Sequence, residues 1–163
     1  SLRGLKGSHR SALRALELLH ERGVAVGCNT QVNRKNYAEL EGILETATRY
    51  GIYGWQVQLM VPMGRPAEAE DLWLQPHDIL EVMPAIAAAR HRADELGTKL
   101  WPGNNVGYFG PYETLLRGGT SRAGYWTGCT AGNGTLGIES DGTLKGCPSL
   151  PTAGYSGGNI RAV

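Results

Sequence analysis

Val24-Ala25-Val26-Gly27-Cys28-Asn29-Thr30-Gln31-Val32-Asn33 is the stretch whose reading decides the fold. Val24, Val26, Cys28, Thr30 and Val32 fall on one face of an extended chain, and Ala25, Gly27, Asn29, Gln31 and Asn33 on the other. That period of two is the period of a β-strand. An apolar face of this kind meets helices, while a second face that turns polar toward its C-terminal end looks into a solvated cavity. Immediately upstream, residues 8–22 carry Ala12, Leu13, Leu16 and Leu19 at helical spacing, with Ser8 as the expected N-cap and Gly23 as the left-handed stop. A one-sided surface helix therefore leads straight into the strand.

Downstream, Asn36-Tyr37-Ala38-Glu39 has the form of a capping box and opens a helix with Leu40, Ile43, Leu44 and Ala47 as its buried stripe and Gly51 as its stop. A second strand follows, with Trp55, Val57, Leu59 and Val61 on one face and Gln56, Gln58, Met60 and Pro62 on the other. Helix, strand, helix, strand with short connections is the parallel βαβ pattern, in which ligands gather at the C-terminal strand ends, here residues 31–33 and 60–65. Residues 66–74 read as an acidic, proline-limited loop. Residues 76–96 read as a third helical region with Pro76 at its first position, Ile79, Val82, Met83 and Ile86 as its stripe, and a kink or break at Pro84. Residues 98–101 suit a short strand, and the next thirty or so, rich in Gly, Tyr, Trp, Pro and Asn, suit an ordered loop packed by aromatics. Tyr108, Phe109, Tyr112, Tyr125 and Trp126 either pack that loop or line a peptide groove.

The C-terminal part reads as a β-hairpin, with residues 135–139 and 143–145 as strands and Ser140-Asp141-Gly142 as the turn. Such a hairpin brings Cys129 and Cys147 toward each other. A structural disulfide, two half-buried thiols and half of a metal site are all open readings of the pair. The total of three cysteines is odd, which argues against a disulfide framework. Cys28 shares its parity with Val24, Val26 and Val32 and is expected to be a packed thiol. His9, His20, His77 and His91 have no paired spacing and are expected in solvent or at helix entries.

A net charge of +1 with interspersed signs leaves no basic face, so nucleic acid is not an expected partner. No run reaches the roughly 18 apolar residues of a membrane span, and the first residues lack the layout of a signal peptide, so a cytoplasmic protein without a membrane partner is expected. The chain starts at Ser1 without a methionine, enters a helix almost at once and stops at Val163 without a polar tail, and it reads as a fragment.

Cys129, twelve residues, then Gly142-Thr143-Leu144-Lys145-Gly146-Cys147 resembles the opening of the SPASM domain, the cysteine-rich extension of many radical S-adenosylmethionine (radical SAM) enzymes. Arg3-Gly4-Leu5-Lys6-Gly7-Ser8, Asn29-Thr30-Gln31-Val32-Asn33 with Asn36, and Pro62-Met63-Gly64-Arg65 look like the second half of the radical SAM barrel. The resemblance implies an α/β fold. It would be the C-terminal part of a parallel (β/α)6 partial TIM barrel (residues 1–101, its two strands being the fifth and sixth), a Gly/aromatic-rich connecting region (102–127) and a small β-hairpin starting a truncated SPASM domain (128–163). It also implies reductive cleavage of S-adenosylmethionine to a 5′-deoxyadenosyl radical, a radical SAM [4Fe–4S] cluster, and an auxiliary [4Fe–4S] cluster with Cys129 and Cys147 among its ligands. The implied partners are a peptide or small-molecule substrate and an electron donor such as flavodoxin or ferredoxin. The Cys-x-x-x-Cys-x-x-Cys motif, the Gly-Gly-Glu segment and the later SPASM cysteines are not among these residues, so this stretch alone is expected to be inactive.

By strand parity and family position, Asn29, Gln31, Gln58 and Met60 are the expected contacts for cofactor or substrate; the alternative is that the amides hydrogen-bond one another as lumen filler. Arg65 either binds a carboxylate or anchors a surface loop, and Arg3 stands in a family motif with its role open. The competing function is a non-catalytic α/β interaction module whose cysteine hairpin is structural or holds zinc with a partner's ligands. A complete doubly wound enzyme is the third reading, and no glycine-rich phosphate loop follows either strand.

Overall fold

The computed structural model describes residues 5–107, 109–117 and 128–162. It divides into two compact units, Ser1–Thr127 and Gly128–Val163. The first contains α1 (Ser8–Glu21), β1 (Gly27–Val32), α2 (Leu40–Thr48), β2 (Gly54–Leu59), α3 (Ile79–Glu95), β3 (Lys99–Pro102) and α4 (Glu113–Arg117). The strands form one parallel sheet in the order β1-β2-β3, with Asn29 opposite Gln56, Gln31 opposite Gln58, and Gln56 opposite Trp101. The sheet has three strands where two barrel strands were expected, because residues 99–102 pair fully with β2. This is an α/β architecture with a parallel sheet.

One face of the sheet carries the core. Val32, Trp55, Val57 and Leu100 meet Leu40, Leu44 and Ala47 of α2 and Val82, Met83 and Ile86 of α3, all buried. Phe109 and Leu116 join the same cluster, so the aromatic segment after β3 contributes to this core; Tyr112 packs beside it, while Tyr108, Tyr125 and Trp126 lie outside the described residues. α1 buries no residue and touches the core only through half-buried Leu16.

Several local expectations are corrected. Ser8 lies within α1 and Gly7 is the N-cap. β1 begins at Gly27, because Val24 donates its N–H back to Leu19 and closes the helix end, which leaves the Val24 side chain exposed. Asn36 does not cap α2: its carboxamide turns back to β1, and a short 3-10 turn, Tyr37–Glu39, enters the helix instead. Pro84 does not divide α3. Both Pro84 and Leu80, four residues earlier, are exposed, so the carbonyl that loses its partner opens to water.

At Gly54 a side chain would meet a neighbour. A Cβ there would stand 2.5 Å from the Trp101 ring, which lies across the start of β2 on the face opposite the core. Gly54→Val is expected to displace that ring and destabilise the protein by about 1–3 kcal/mol. Urea denaturation would check this, and a midpoint equal to wild type would show that the ring moves aside at no cost.

In the second unit β4 (Gly137–Ile138), β5 (Thr143–Lys145) and β6 (Ser156–Asn159) form an antiparallel sheet in the order β4-β5-β6. The expected hairpin is present, with a shorter first strand. Gly142 adopts φ 91, and Asp141 accepts the Thr143 N–H at 2.9 Å, so Asp and Gly close the turn as their chemistry suits. β6 is additional to the two strands expected of the hairpin. Among the described residues this unit has no apolar core: the side chains it buries are Thr143 and Lys145, while Leu136, Ile138, Tyr155 and Ile160 are exposed.

Candidate functional site

The sheet face opposite the core carries a chain of carboxamides. Asn29 donates from Nδ2 to Gln56 Oε1 at 2.8 Å, Gln58 donates from Nε2 to the same oxygen at 3.2 Å, and Gln31 donates from Nε2 to Gln58 Oε1 at 2.9 Å. In-register parallel pairing produces this chain, because it sets Asn29 beside Gln56 and Gln31 beside Gln58. Asn29, Gln31 and Gln58 are thus brought together, and the lumen-filler alternative describes their contacts with one another. They nevertheless keep capacity for a ligand. The Asn29 Oδ1, Gln31 Oε1 and Gln56 Nε2 atoms make no hydrogen bond to the described residues. Gln56 is the junction of the chain and was not singled out in the sequence, although its strand parity carried the signal.

Layers follow from the register. At the N-terminal end of the strands Gly27 faces Gly54 with the Trp101 ring over it; next come Asn29 and Gln56; then Gln31 and Gln58. Gly103 abuts Gln58 so closely that a Cβ would stand 2.5 Å from Gln58 Cγ. Met60 lies just past β2, half-buried, and donates its N–H to Val32 at 2.8 Å. Beyond β1, Asn33 is 3 % exposed. It donates from Nδ2 to the Gln31 carbonyl at 3.3 Å, accepts the Lys35 N–H at 2.9 Å, and donates its own N–H to Asn36 Oδ1 at 2.8 Å. Two asparagines therefore hold the C-terminal turn of β1. The acidic loop docks next to it: Arg34 donates its N–H to Leu72 at 3.1 Å, and Lys35 pairs with Asp71, whose carboxyl it holds below the usual carboxylate range.

On the core side of the sheet, a cavity of about 600 Å³ lies beneath α1 among Leu13, Leu16, Cys28, Ile43, Ala47 and Trp55. Cys28 is half-buried there, and burial pushes its thiol pKa up, as expected for a packing thiol rather than a ligand. The lining also includes the polar residues His9, Asn29, Thr30, Glu39 and Thr46, whereas the amide face gathers several carboxamides with open donor and acceptor atoms and is the better candidate. His9, His20, His77 and His91 are all exposed.

In the second unit the thiols of Cys129 and Cys147 are free, the first exposed and the second half-buried. Ala131 donates its N–H to the Cys129 sulfur at 3.4 Å, and Gly132 donates to the Gly146 carbonyl at 3.1 Å, which docks the Cys129 loop onto the residue before Cys147. Both docked loops thus carry a thiol, the donor type an iron–sulfur cluster takes, and one of the two receives a backbone N–H. Among the described residues no group of three or more His, Cys, Asp or Glu is placed to hold a metal.

No family model and no solved structure matches this chain. It is 26% identical to the AdoMet-dependent heme synthase of Nitratidesulfovibrio vulgaris across 99% of its own length and 44% of that protein. It is 33% identical to the AdoMet-dependent heme synthase of Oleidesulfovibrio alaskensis across 40% of its own length and 17% of that protein. The chain thus spans less than half the length of the curated relatives it matches. Both relatives depend on S-adenosylmethionine by name. No helix among the described residues is long and apolar enough to cross a membrane.

Proposed function

We propose that this chain is the later part of a radical SAM enzyme. It would supply barrel strands β1–β3 and the start of a SPASM extension. Asn29, Gln31, Gln58 and Met60, joined by Gln56, would face the cavity where S-adenosylmethionine and substrate meet. The observation that carries this reading is the match along 99% of the chain to a protein named for S-adenosylmethionine dependence. The architecture supports it: strands in sequential order with the core on one face and amides on the other suit a barrel wall, whereas a doubly wound sheet is covered on both faces. In such an enzyme a reduced iron–sulfur cluster supplies the electron that cleaves the cofactor. The residues here would orient the bound molecules and keep water from them. The relatives' name favours a heme precursor over a peptide as the substrate. Flavodoxin or ferredoxin would be suitable electron donors.

The amide face is tested by Gln31→Ala and Gln58→Ala in the full-length enzyme. Each is expected to weaken S-adenosylmethionine binding by about 1–3 kcal/mol through a lost hydrogen bond to the bound cofactor, with a smaller change in stability. Calorimetric affinity equal to wild type in both variants would remove these residues from the site.

A further inference from the structure

The second unit contains a buried cation. The Lys145 side chain is 3 % exposed, its Nζ lies 2.5 Å from Glu139 Oε1, and it donates to the Leu150 carbonyl at 2.7 Å. Thr152 completes the cluster, donating to the Glu139 carboxylate at 2.8 Å and lying 3.5 Å from Lys145 Nζ. Lys145, then Thr152, hold the Glu139 carboxyl below its usual range. Leu150 in turn donates its N–H to the Cys147 carbonyl at 3.2 Å. The ammonium therefore clamps the far end of the turn that Cys147 opens, while Gly132 holds Gly146 on the near side.

Burying an ammonium is costly, and well-packed apolar residues often stabilise a fold at least as well as a buried ion pair. In a unit without an apolar core, an apolar residue at position 145 would be the simpler stabiliser. A charge retained there points to a task that charge and directional bonding perform. Cys147 follows Lys145 by two residues, and the ammonium is tied to it through Leu150, whose carbonyl Lys145 binds and whose N–H the Cys147 carbonyl accepts. A fixed charge built into the turn of a ligand acts on the centre which that ligand holds.

We propose that Lys145 is a positioning residue for the Cys147 thiol, and that Lys145 and Glu139 together set the electrostatic environment of the metal centre this thiol helps to hold. The proposal rests on the reading of Cys129 and Cys147 as cluster ligands. Cluster potentials respond to nearby net charge. Lys145→Met leaves the carboxylate uncompensated and disfavours the reduced cluster, so the potential moves down; Glu139→Gln leaves the cation uncompensated, so the potential moves up.

The experiment uses the full-length enzyme reconstituted anaerobically with iron and sulfide. Iron per chain, circular dichroism and the auxiliary cluster's potential by redox-titrated electron paramagnetic resonance are measured for Lys145→Met, Glu139→Gln and the Cys129→Ala/Cys147→Ala double variant. The expected result is opposite shifts of potential in the two charge variants, which a purely structural role would not give. If Lys145→Met loses its cluster, Glu139→Gln decides: an upward shift supports the proposal and a wild-type potential overturns it. Wild-type potentials in both, or shifts of the same sign, also overturn it while leaving the thiols as ligands. Full iron in the double cysteine variant would instead remove the ligand reading itself, and the proposal with it.

Discussion

Cys129→Ala together with Cys147→Ala, in full-length enzyme reconstituted anaerobically, is expected to remove about four iron atoms per chain, the content of one four-iron cluster. Each cysteine would supply a charged sulfur donor that alanine cannot replace, and an incomplete site tends to lose its cluster. Cys28→Ala is the internal control. That thiol is half-buried beside the packed core, and burial raises its pKa away from the thiolate that ligation requires, so iron content should be unchanged. Full iron retention in the double variant, or equal loss in Cys28→Ala, would leave the hairpin cysteines as structural residues. The isolated chain, with two of the ligands, should bind little iron.

Trp55→Ala should be among the most damaging substitutions in the first unit, costing about 3–5 kcal/mol of stability. Trp55 is fully buried in the middle strand, and its indole N–H donates to Thr30 Oγ1 at 2.9 Å on the neighbouring strand. Alanine would merge the space of the indole with the cavity already present beneath α1, which Trp55 lines. Trp55→Phe keeps most of the apolar volume and loses the hydrogen bond, so its cost should be a fraction of the alanine cost. Leu80→Ala, at a site 80% exposed on α3, should stay within about 0.5 kcal/mol. Equal unfolding midpoints for Trp55→Ala and Leu80→Ala would mean that the sheet core is not the source of stability described here.

Much of the first unit was legible because its signals are local. Alternation in residues 24–33 and 55–62 separated the core face from the amide face, and the helical stripes named Leu40, Leu44, Val82, Met83 and Ile86, all buried. Gly23 and Gly51 take the left-handed conformation expected after α1 and α2. The misses have a common cause. Asn36 has the side chain of a helix cap, yet it turns to Gln31 and Asn33, because the end of β1 offers it both a donor, the Asn33 N–H, and an acceptor, the Gln31 carbonyl. β6 could not be read from Ser156-Gly157-Gly158-Asn159, which has no β-branched or aromatic residue, since its strand character comes from pairing with β5. The cavity beneath α1 was equally invisible, because periodicity predicts that a helix turns a face inward, not how closely it approaches.

What the sequence by itself determined was parity: which side chains share a face, where helices give way to strands, and that two thiols flank a hairpin. Tertiary structure decided which parity-equivalent groups touch. Register set Gln56 between Asn29 and Gln58, placed the Trp101 ring over Gly54, and buried Lys145 against Glu139 and Leu150. The physical reason is range: parity follows from bond geometry repeated every two or 3.6 residues, whereas register and burial are settled by contacts between separate elements and turns, and in a sheet a one-residue slip would turn every side chain to the other face.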